Sequence, residues 1–215
     1  MAKDLRSYRK SYEKSALAEE TAGMDPFILF KRWFTELEES GTVDELNTMT
    51  LVTKGVDGFP KGRVVLLKEF SDKGFVFYTN YNSEKGMAIA ADPKVGISFF
   101  WPTMERQVII KGIASRVDSS DSDAYFNSRP YGSRLGAIVS AQSSTISSRE
   151  ALEESLHKLE QSMNEEEVKR PEYWGGYRVV PESIEFWQGR PNRLHDRLLY
   201  TSKQGSEWER VRLSP

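Results

Sequence analysis

Cysteine is absent from the 215 residues. That absence removes disulfides, thiolate catalysis, iron–sulfur clusters and cysteine-ligated zinc together, and it is compatible with a reducing compartment. Histidine is scarce. His157 and His195 stand far apart, and neither belongs to an H-x-x-x-H pattern, so a transition-metal site built on imidazole is not expected. No apolar run reaches signal-peptide or membrane-spanning length after the charged start Met-Ala-Lys-Asp-Leu-Arg, and the expected location is the cytosol. Neither sign of charge is in excess. Lys plus Arg total 30 and Asp plus Glu 32, a net charge of −2, so no global field recruits nucleic acid or an anionic membrane. Any anion site must therefore be local. Also missing are a G-x-G-x-x-G after a strand and a G-x-S-x-G elbow, which disfavours dinucleotide binding and triad acyl transfer.

Hydrophobic residues at 38% and charged residues at 29% place the chain among globular proteins, and the length suits one large domain. Residues 1–24 alternate charges without sustained periodicity and read as a flexible arm, followed by a single domain over 25–215. Asp25-Pro26 supplies an N-cap and an N1 proline. Phe27, Phe30, Trp33, Phe34 and Leu37 then recur at helical spacing up to Gly41.

From Asn47 the period changes. Thr48–Thr53 and Arg63–Lys68 are β-rich runs around Asp57-Gly58, which predicts a hairpin. Phe75–Thr79, Val95–Trp101 and Gln107–Ala114 follow, with further strand-like runs at Ile184–Trp187, Leu198–Tyr200 and Trp208. Helices are predicted at about 84–91, 119–128 and 148–163. Short turns between strands predict an antiparallel meander that closes or nearly closes into a barrel. The fold class is mainly β with α (α+β).

Polar residues interrupt this scaffold at four places. Arg63 and Lys68 bracket an apolar run, and in a regular strand they would face opposite sides; solvated strand-end charges explain them equally well. Tyr78-Thr79-Asn80 ends a strand and Ser83-Glu84-Lys85-Gly86 opens a helix, a combination that suits a phosphate and also ordinary helix capping. Tyr125, Arg129 and Ser133 would align on one face of a continuous helix, although Pro130 interrupts it; the alternative is a surface Arg beside a half-buried Tyr. If 193–197 is extended, Arg193, His195 and Arg197 share one strand face, which repels itself unless an anion lies over it or solvent screens it at an edge. His157, on a helix rich in Glu and Lys, reads as solvated, and Phe99-Phe-Trp101 as core.

Arg63–Lys68, Phe77-Tyr-Thr-Asn80, Glu105-Arg-Gln107, Tyr125-Phe-x-x-Arg-Pro130, Gln142-Ser-Ser144, Trp174-Gly-Gly176 and Glu185-Phe-Trp-Gln-Gly189 through Arg193-Leu-His-Asp-Arg197 occur in one order along the chain. As an ordered set they resemble the pyridoxine (pyridoxamine) 5′-phosphate oxidases, from Arg9 in the arm to Arg212-Leu-Ser-Pro at the end. The resemblance implies an FMN-dependent split β-barrel with flanking helices, working as a homodimer with its sites at the subunit interface. A dimerisation region over about 172–215 is implied with it. The implied reaction oxidises pyridoxine 5′-phosphate or pyridoxamine 5′-phosphate to pyridoxal 5′-phosphate, with O₂ as acceptor and hydrogen peroxide as product.

By position, the resemblance puts Arg63, Lys68, Tyr78, Thr79, Lys85, Gln107, Gln142, Ser143, Trp187 and Arg197 around FMN. It assigns the substrate phosphate to Lys68, Tyr125, Arg129 and Ser133. Arg193 and His195 would lie against the pyridine ring as catalytic residues, and Arg9 and Tyr12 would belong to a segment closing over the site. No metal is implied. Where the family usually has Ser-Arg-Lys this chain has Ser83-Glu84-Lys85, which predicts somewhat weakened FMN binding. Other readings are a flavin reductase on the same fold, a carrier of FMN or pyridoxal 5′-phosphate without turnover, and, more distantly, a nucleic-acid-binding barrel.

Overall fold

The structure is a computed structural model describing residues 2–203 and 207–215. Met1, the first residue of the expected arm, lies outside the described residues. The chain forms two compact units. The first gathers Met1–Met49, Ile97–Lys111 and Pro181–Pro215; the second gathers Thr50–Gly96 and Gly112–Val180.

In the first unit a single turn, α1 (Glu19–Ala22), precedes α2 (Pro26–Ser40). The Asp25 carboxylate accepts from the Phe27 N–H at 2.8 Å and the Ile28 N–H at 3.4 Å, and Gly41, with φ 59°, ends the helix in the left-handed conformation open to glycine. The spacing of apolar residues buries Leu29, Phe30, Trp33 and Leu37. Phe30 meets Phe99 at 5.2 Å and Trp33 meets Phe186 edge-on at 5.2 Å; Phe99 and Trp101 are core as the sequence implies, whereas Phe100, on the opposite face of the strand, is 57% exposed.

Among the described residues nine strands form one sheet. They are β1 (Thr48–Lys54), β2 (Pro60–Leu66), β3 (Glu69–Ser71), β4 (Gly74–Asn80), β5 (Lys94–Trp101), β6 (Arg106–Arg116), β7 (Trp174–Gln188), β8 (Asp196–Ser202) and β9 (Trp208–Arg212). The hydrogen-bonded order is β2-β1-β5-β6-β7-β4-β3, with β8 added to β7 and β9 to β8. This is not the simple meander predicted. The helix α3 (Glu84–Ala91) separates β4 from β5, and β4 pairs instead with β7, antiparallel, from Phe75↔Val179 to Asn80↔Trp174. The later half of β7 pairs antiparallel with β8, from Ser183↔Thr201 to Gln188↔Asp196. Pro181, which has no N–H to donate, sits where β7 changes partner.

Three further helices belong to the second unit: α4 (Ser119–Ser128), α5 (Tyr131–Val139) and α6 (Arg149–Ser162). Sequence periodicity finds α4 and α6 but misses α5, whose Gly132 and Gly136 weaken the helical signal. Tertiary contacts supply the deficit. Leu135 is fully buried with Phe126 and Trp174, Leu156 and Leu159 pack against that cluster, and the Tyr131 hydroxyl donates to the Met163 carbonyl at 2.6 Å. Arg134 pairs with Glu165. Among the described residues no helix is long and apolar enough to cross a membrane, and no group of three His, Cys, Asp or Glu is arranged to hold a metal.

Candidate active site

The second unit contains a cavity of about 660 Å³, within the usual range for small-molecule sites. Its lining joins segments distant in sequence: Val64–Leu66 and Lys68, then Tyr78, Thr79 and Lys85, then Tyr125, Arg129 and Ser133, and finally Gln142 and Trp174. Eight residues predicted to bind cofactor or substrate therefore meet around one space.

Local structure explains how each arrives there. The strand expected over Arg63–Lys68 stops at Leu66, so Lys68 lies in the link to β3, its N–H donating to the Val76 carbonyl at 2.8 Å. That break, and not alternation along one strand, lets Lys68 line the cavity. Tyr125, Arg129 and Ser133 do not share one continuous helix either. The first sits near the end of α4, Arg129 is its extended C-cap, and Pro130 turns the chain into α5, where the Ser133 N–H donates to the Pro130 carbonyl. Proline ends one helix and begins the next, so the three side chains converge by a corner.

An aromatic stack forms one wall. Tyr78 and Tyr125 stack with centroids 3.9 Å apart, Trp174 lies 5.8 Å from Tyr78, and the Arg129 guanidinium sits 4.7 Å from the Trp174 ring centroid. A cation on an indole face gains about 0.5–2 kcal/mol and is held in one plane. Yet Arg129 Nη1 is buried with no hydrogen-bond partner among the described residues, an expensive condition for a charged donor. Burial pulls the Arg129 pKa down, opposed by Tyr125. An anion in the cavity would satisfy that donor.

The lining is cationic at Lys85 as well. Ser83 caps α3 by accepting from the Gly86 N–H at 3.3 Å. Lys85 is held by neutral acceptors: Gln142 Oε1 at 3.0 Å, Thr79 Oγ1 at 3.2 Å and Ser83 Oγ at 3.3 Å. Burial, then the nearby Arg63 charge, lowers its pKa from 10.5 to about 8, while Glu84 raises it in part. Arg63 lies outside the cavity lining and donates to Thr53 Oγ1 at 2.7 Å and the Leu51 carbonyl at 3.2 Å. Two partly buried cations that repel each other fit a phosphate or another anionic group. Glu84, the residue expected to weaken such binding, is engaged by Lys61 Nζ at 2.5 Å. Lys61 has no place in the sequence reading, because its partner is 23 residues away, beyond β3 and β4.

Gln142 and Ser143 occupy the segment after α5. Gln142 lines the main cavity and a neighbouring one of about 430 Å³; Ser143, with φ 76°, lines only the latter. Trp174-Gly-Gly begins β7. A Cβ at Gly175 would come 2.1 Å from the Tyr81 hydroxyl, and one at Gly176 2.8 Å from the Tyr78 ring. Gly176 admits the stacked wall to the strand, and Gly175 makes room for Tyr81.

The remaining predicted residues belong to the first unit. Gln107, on β6, donates to Ser98 Oγ at 3.0 Å. Trp187, at the end of β7, lies 4.6 Å from His195, and Tyr12 sits 5.8 Å from Trp187 and 5.9 Å from His195. Arg9 is exposed and donates locally, from Nε to the Arg6 carbonyl and from its N–H to the Ser7 carbonyl. The expected extended run 193–197 is not formed. Pro191–Arg193 is a short 3₁₀ turn in which Asn192 (φ 56°) and Arg193 (φ 61°) are both left-handed, and β8 starts only at Asp196. Arg193, His195 and Arg197 therefore do not form one strand face. Two non-glycine residues in this conformation are unusual and mark a site held by its surroundings.

His195 Nδ1 accepts the Arg190 N–H at 3.0 Å. Burial and then the Arg193 charge push its pKa down, with Asp196 opposing, so the neutral ring is favoured. With Nδ1 accepting, the proton of the neutral ring lies on Nε2. Arg197 donates to Glu185 Oε1 at 2.8 Å and to the Ser214 carbonyl at 2.9 Å; the Glu185 bond raises its pKa. His157 is exposed and contacts Gln161.

Residues 36–162 match the model of the pyridoxamine 5′-phosphate oxidase family, and residues 174–215 match that of the pyridoxine 5′-phosphate oxidase C-terminal dimerisation region. A pyridoxine/pyridoxamine 5′-phosphate oxidase of Flavobacterium johnsoniae is 61% identical over 98% of this chain and 99% of its own. Another, from Rubrobacter xylanophilus, is 51% identical over 99% of this chain and 97% of its own. Among solved structures, PhzG from Burkholderia lata, in complex with tetrahydrophenazine-1-carboxylic acid, superposes with a TM-score of 0.86 at 27% identity, covering 96% of this chain and all of that one. A Nostoc punctiforme protein described as pyridoxamine 5′-phosphate oxidase-related and FMN-binding shares the fold, with a TM-score of 0.70 at 16% identity over 94% of this chain and all of that one. The fold is thus a mainly antiparallel split barrel with flanking helices, and the chain belongs to the pyridoxine/pyridoxamine 5′-phosphate oxidase family.

Proposed function

We propose that this protein is an FMN-dependent oxidase that converts pyridoxine 5′-phosphate or pyridoxamine 5′-phosphate to pyridoxal 5′-phosphate, with O₂ as electron acceptor and hydrogen peroxide as product, and with water consumed and ammonia released when the amine is the substrate. The observation that carries the reading is the buried, unpartnered Arg129 Nη1 in a cavity shared with Lys68, Tyr125 and Ser133. A substrate phosphate there would accept from a guanidinium, an ammonium and two hydroxyls. Each charge-assisted bond contributes roughly 1.5–3 kcal/mol.

Arg63, Lys68, Tyr78, Thr79, Lys85, Gln107, Gln142, Ser143, Trp187 and Arg197 are proposed to hold FMN. The donor set fits, since Lys85 and Arg63 are desolvated cations whose hydrogen bonds go to uncharged groups. Two-electron redox chemistry, including the reaction with O₂, is what bound FMN supplies. The chain's own residues bind and orient. Arg193 and His195 are assigned to the pyridine ring. His195, with its proton on Nε2, donates a hydrogen bond to the substrate and does not begin as a general base. Arg9 and Tyr12 belong to the covering segment. Two copies of the chain are proposed to form a cytosolic homodimer with sites at the subunit interface, in keeping with the matched dimerisation region.

The PhzG likeness favours one alternative, oxidation of a reduced heterocyclic acid without a phosphate. Incubating the FMN-loaded protein in air with pyridoxine 5′-phosphate, with unphosphorylated pyridoxine and with a reduced heterocyclic acid that carries no phosphate, each separately, decides between them. Peroxide and pyridoxal 5′-phosphate should form in equal amounts from the phosphorylated compound alone. FMN uptake without peroxide from any of the three would leave only a carrier.

A further inference from the structure

The first unit contains a buried carboxylate to which the proposed reaction gives no task. Glu105 stands in the turn between β5 and β6 with only 2% of its surface exposed. Its backbone is left-handed, φ 56°, an uncommon state for a residue with a Cβ. Neighbours enforce it. The Glu105 carbonyl accepts from the Gly189 N–H at 2.7 Å and from Gln188 Nε2 at 3.2 Å. The strained backbone thus aims the carboxylate in one direction.

That direction is the arm. Glu105 Oε2 accepts from the Glu13 N–H at 2.9 Å and the Lys14 N–H at 3.0 Å, and Oε1 meets Lys10 Nζ at 3.1 Å. Among the described residues its recorded side-chain partners all come from positions 10–14. Burial alone would push the Glu105 carboxyl up. The Lys14 N–H, the Lys10 ammonium and the Glu13 N–H outweigh it and hold the pKa below the usual carboxylate value.

Tyr12 lies inside this clamp. Its ring rests on Gly189, where a Cβ would come within 2.7 Å, and packs against Trp187 and His195. A slip of one residue would exchange the N–H groups that reach Glu105, draw the Lys10 ammonium away from Oε1 and carry the ring off its glycine seat. Further along, the Leu17 N–H donates to Asp196 Oδ2 at 3.0 Å and Arg190 Nη1 to the Ser15 carbonyl at 3.0 Å. These bonds hold the arm's direction, whereas those of Glu105 fix the register of Tyr12.

We propose that Glu105 is a positioning residue: it acts through the arm, setting the register that seats Tyr12 against His195 and Trp187. This rests on the reading that His195 faces the substrate. Glu105 itself touches neither substrate nor reacting atoms.

The test uses the full-length, FMN-loaded protein and three variants. Glu105→Ala removes the acceptor, Glu105→Asp withdraws it by one methylene, and Glu105→Gln keeps an oxygen for the two N–H groups. Steady-state kinetics with pyridoxine 5′-phosphate are read beside trypsin cleavage after Lys10 and Lys14. Glu105→Ala should raise KM at least tenfold, hasten cleavage and leave FMN affinity within twofold. Glu105→Asp should move the same way by less, and Glu105→Gln should recover most of the loss. Gly189→Ala, which unseats Tyr12 with Glu105 intact, should reproduce the KM rise. A Glu105→Ala or Glu105→Asp protein with faster cleavage but unchanged KM would overturn the proposal, as would a lowered melting temperature alone. Should wild-type protein show no oxidase activity, the proposed function falls; unchanged cleavage in Glu105→Ala would then overturn the clamp separately.

Discussion

Arg129 and Lys85 are cations that the fold desolvates with no carboxylate in contact among the described residues, and their behaviour carries the chemistry at the residue scale. Truncating Arg129 to alanine should raise KM for pyridoxine 5′-phosphate by about 10- to 100-fold, the equivalent of one charge-assisted bond, with FMN content unchanged. An unchanged KM would remove the phosphate cradle. Lys85, with a folded pKa of about 8 against 10.5 when solvated, binds fewer protons folded than unfolded between those values. Its contribution therefore destabilises the ligand-free protein below about pH 8, and the penalty is relieved as pH rises toward 10.5. Anion binding has the opposite preference, since it needs the charged form. FMN affinity should accordingly fall above about pH 8, by up to about tenfold per pH unit, and Lys85→Arg should move that loss to higher pH. Fluorescence titration across pH 7–10 measures it, and a flat profile would contradict the assignment. Glu84→Arg should tighten FMN binding, but only by about fivefold or less, because Lys61 already offsets the carboxylate and the pair is exposed. Unchanged or weaker affinity in the same titration would show that Glu84 does not face the phosphate.

Elements differ in how far their own residues specify them. The helix α2 is legible end to end, because its Asp25 cap, Pro26, apolar spacing and Gly41 are all local signals. The same holds for the Ser83 cap of α3. By contrast α5 is held by buried Leu135 and by partners on α6 and beyond, none of which periodicity can report. Pairing of β4 with β7 joins segments about a hundred residues apart, so local pattern yields the strands but not their order. The site shows the same division. Lys85, Thr79, Tyr125 and Arg129 could be named from the ordered motifs, whereas Lys61 and the clamp at Glu105 become visible only when distant segments meet. Trp174-Gly-Gly carries a signal of a different kind, since its glycines are required by close approach and not by a turn. Gly176→Ala should push the Tyr78 ring and Val117 aside and lower stability by about 1–3 kcal/mol in chemical denaturation. A fully stable variant would show that the stacked wall yields without cost.

At the scale of the whole molecule, a net charge of −2 conceals a strongly uneven distribution. Cations gather where phosphates are proposed to bind, while acidic residues lie along the helices and anchor the arm. The missing cysteines cease to argue against redox chemistry, since a bound flavin needs no thiol. Each chain is proposed to supply part of two sites in a homodimer, so the protein should sediment with twice the mass of one chain. The central claim is that FMN held by these residues oxidises a phosphorylated B6 vitamer. Its most direct test is the visible absorbance of FMN-loaded protein under anaerobic conditions on addition of pyridoxine 5′-phosphate. The flavin band should bleach with one equivalent and return on admitting air, with hydrogen peroxide formed; a band that persists, or a protein that takes up no FMN, would contradict the account.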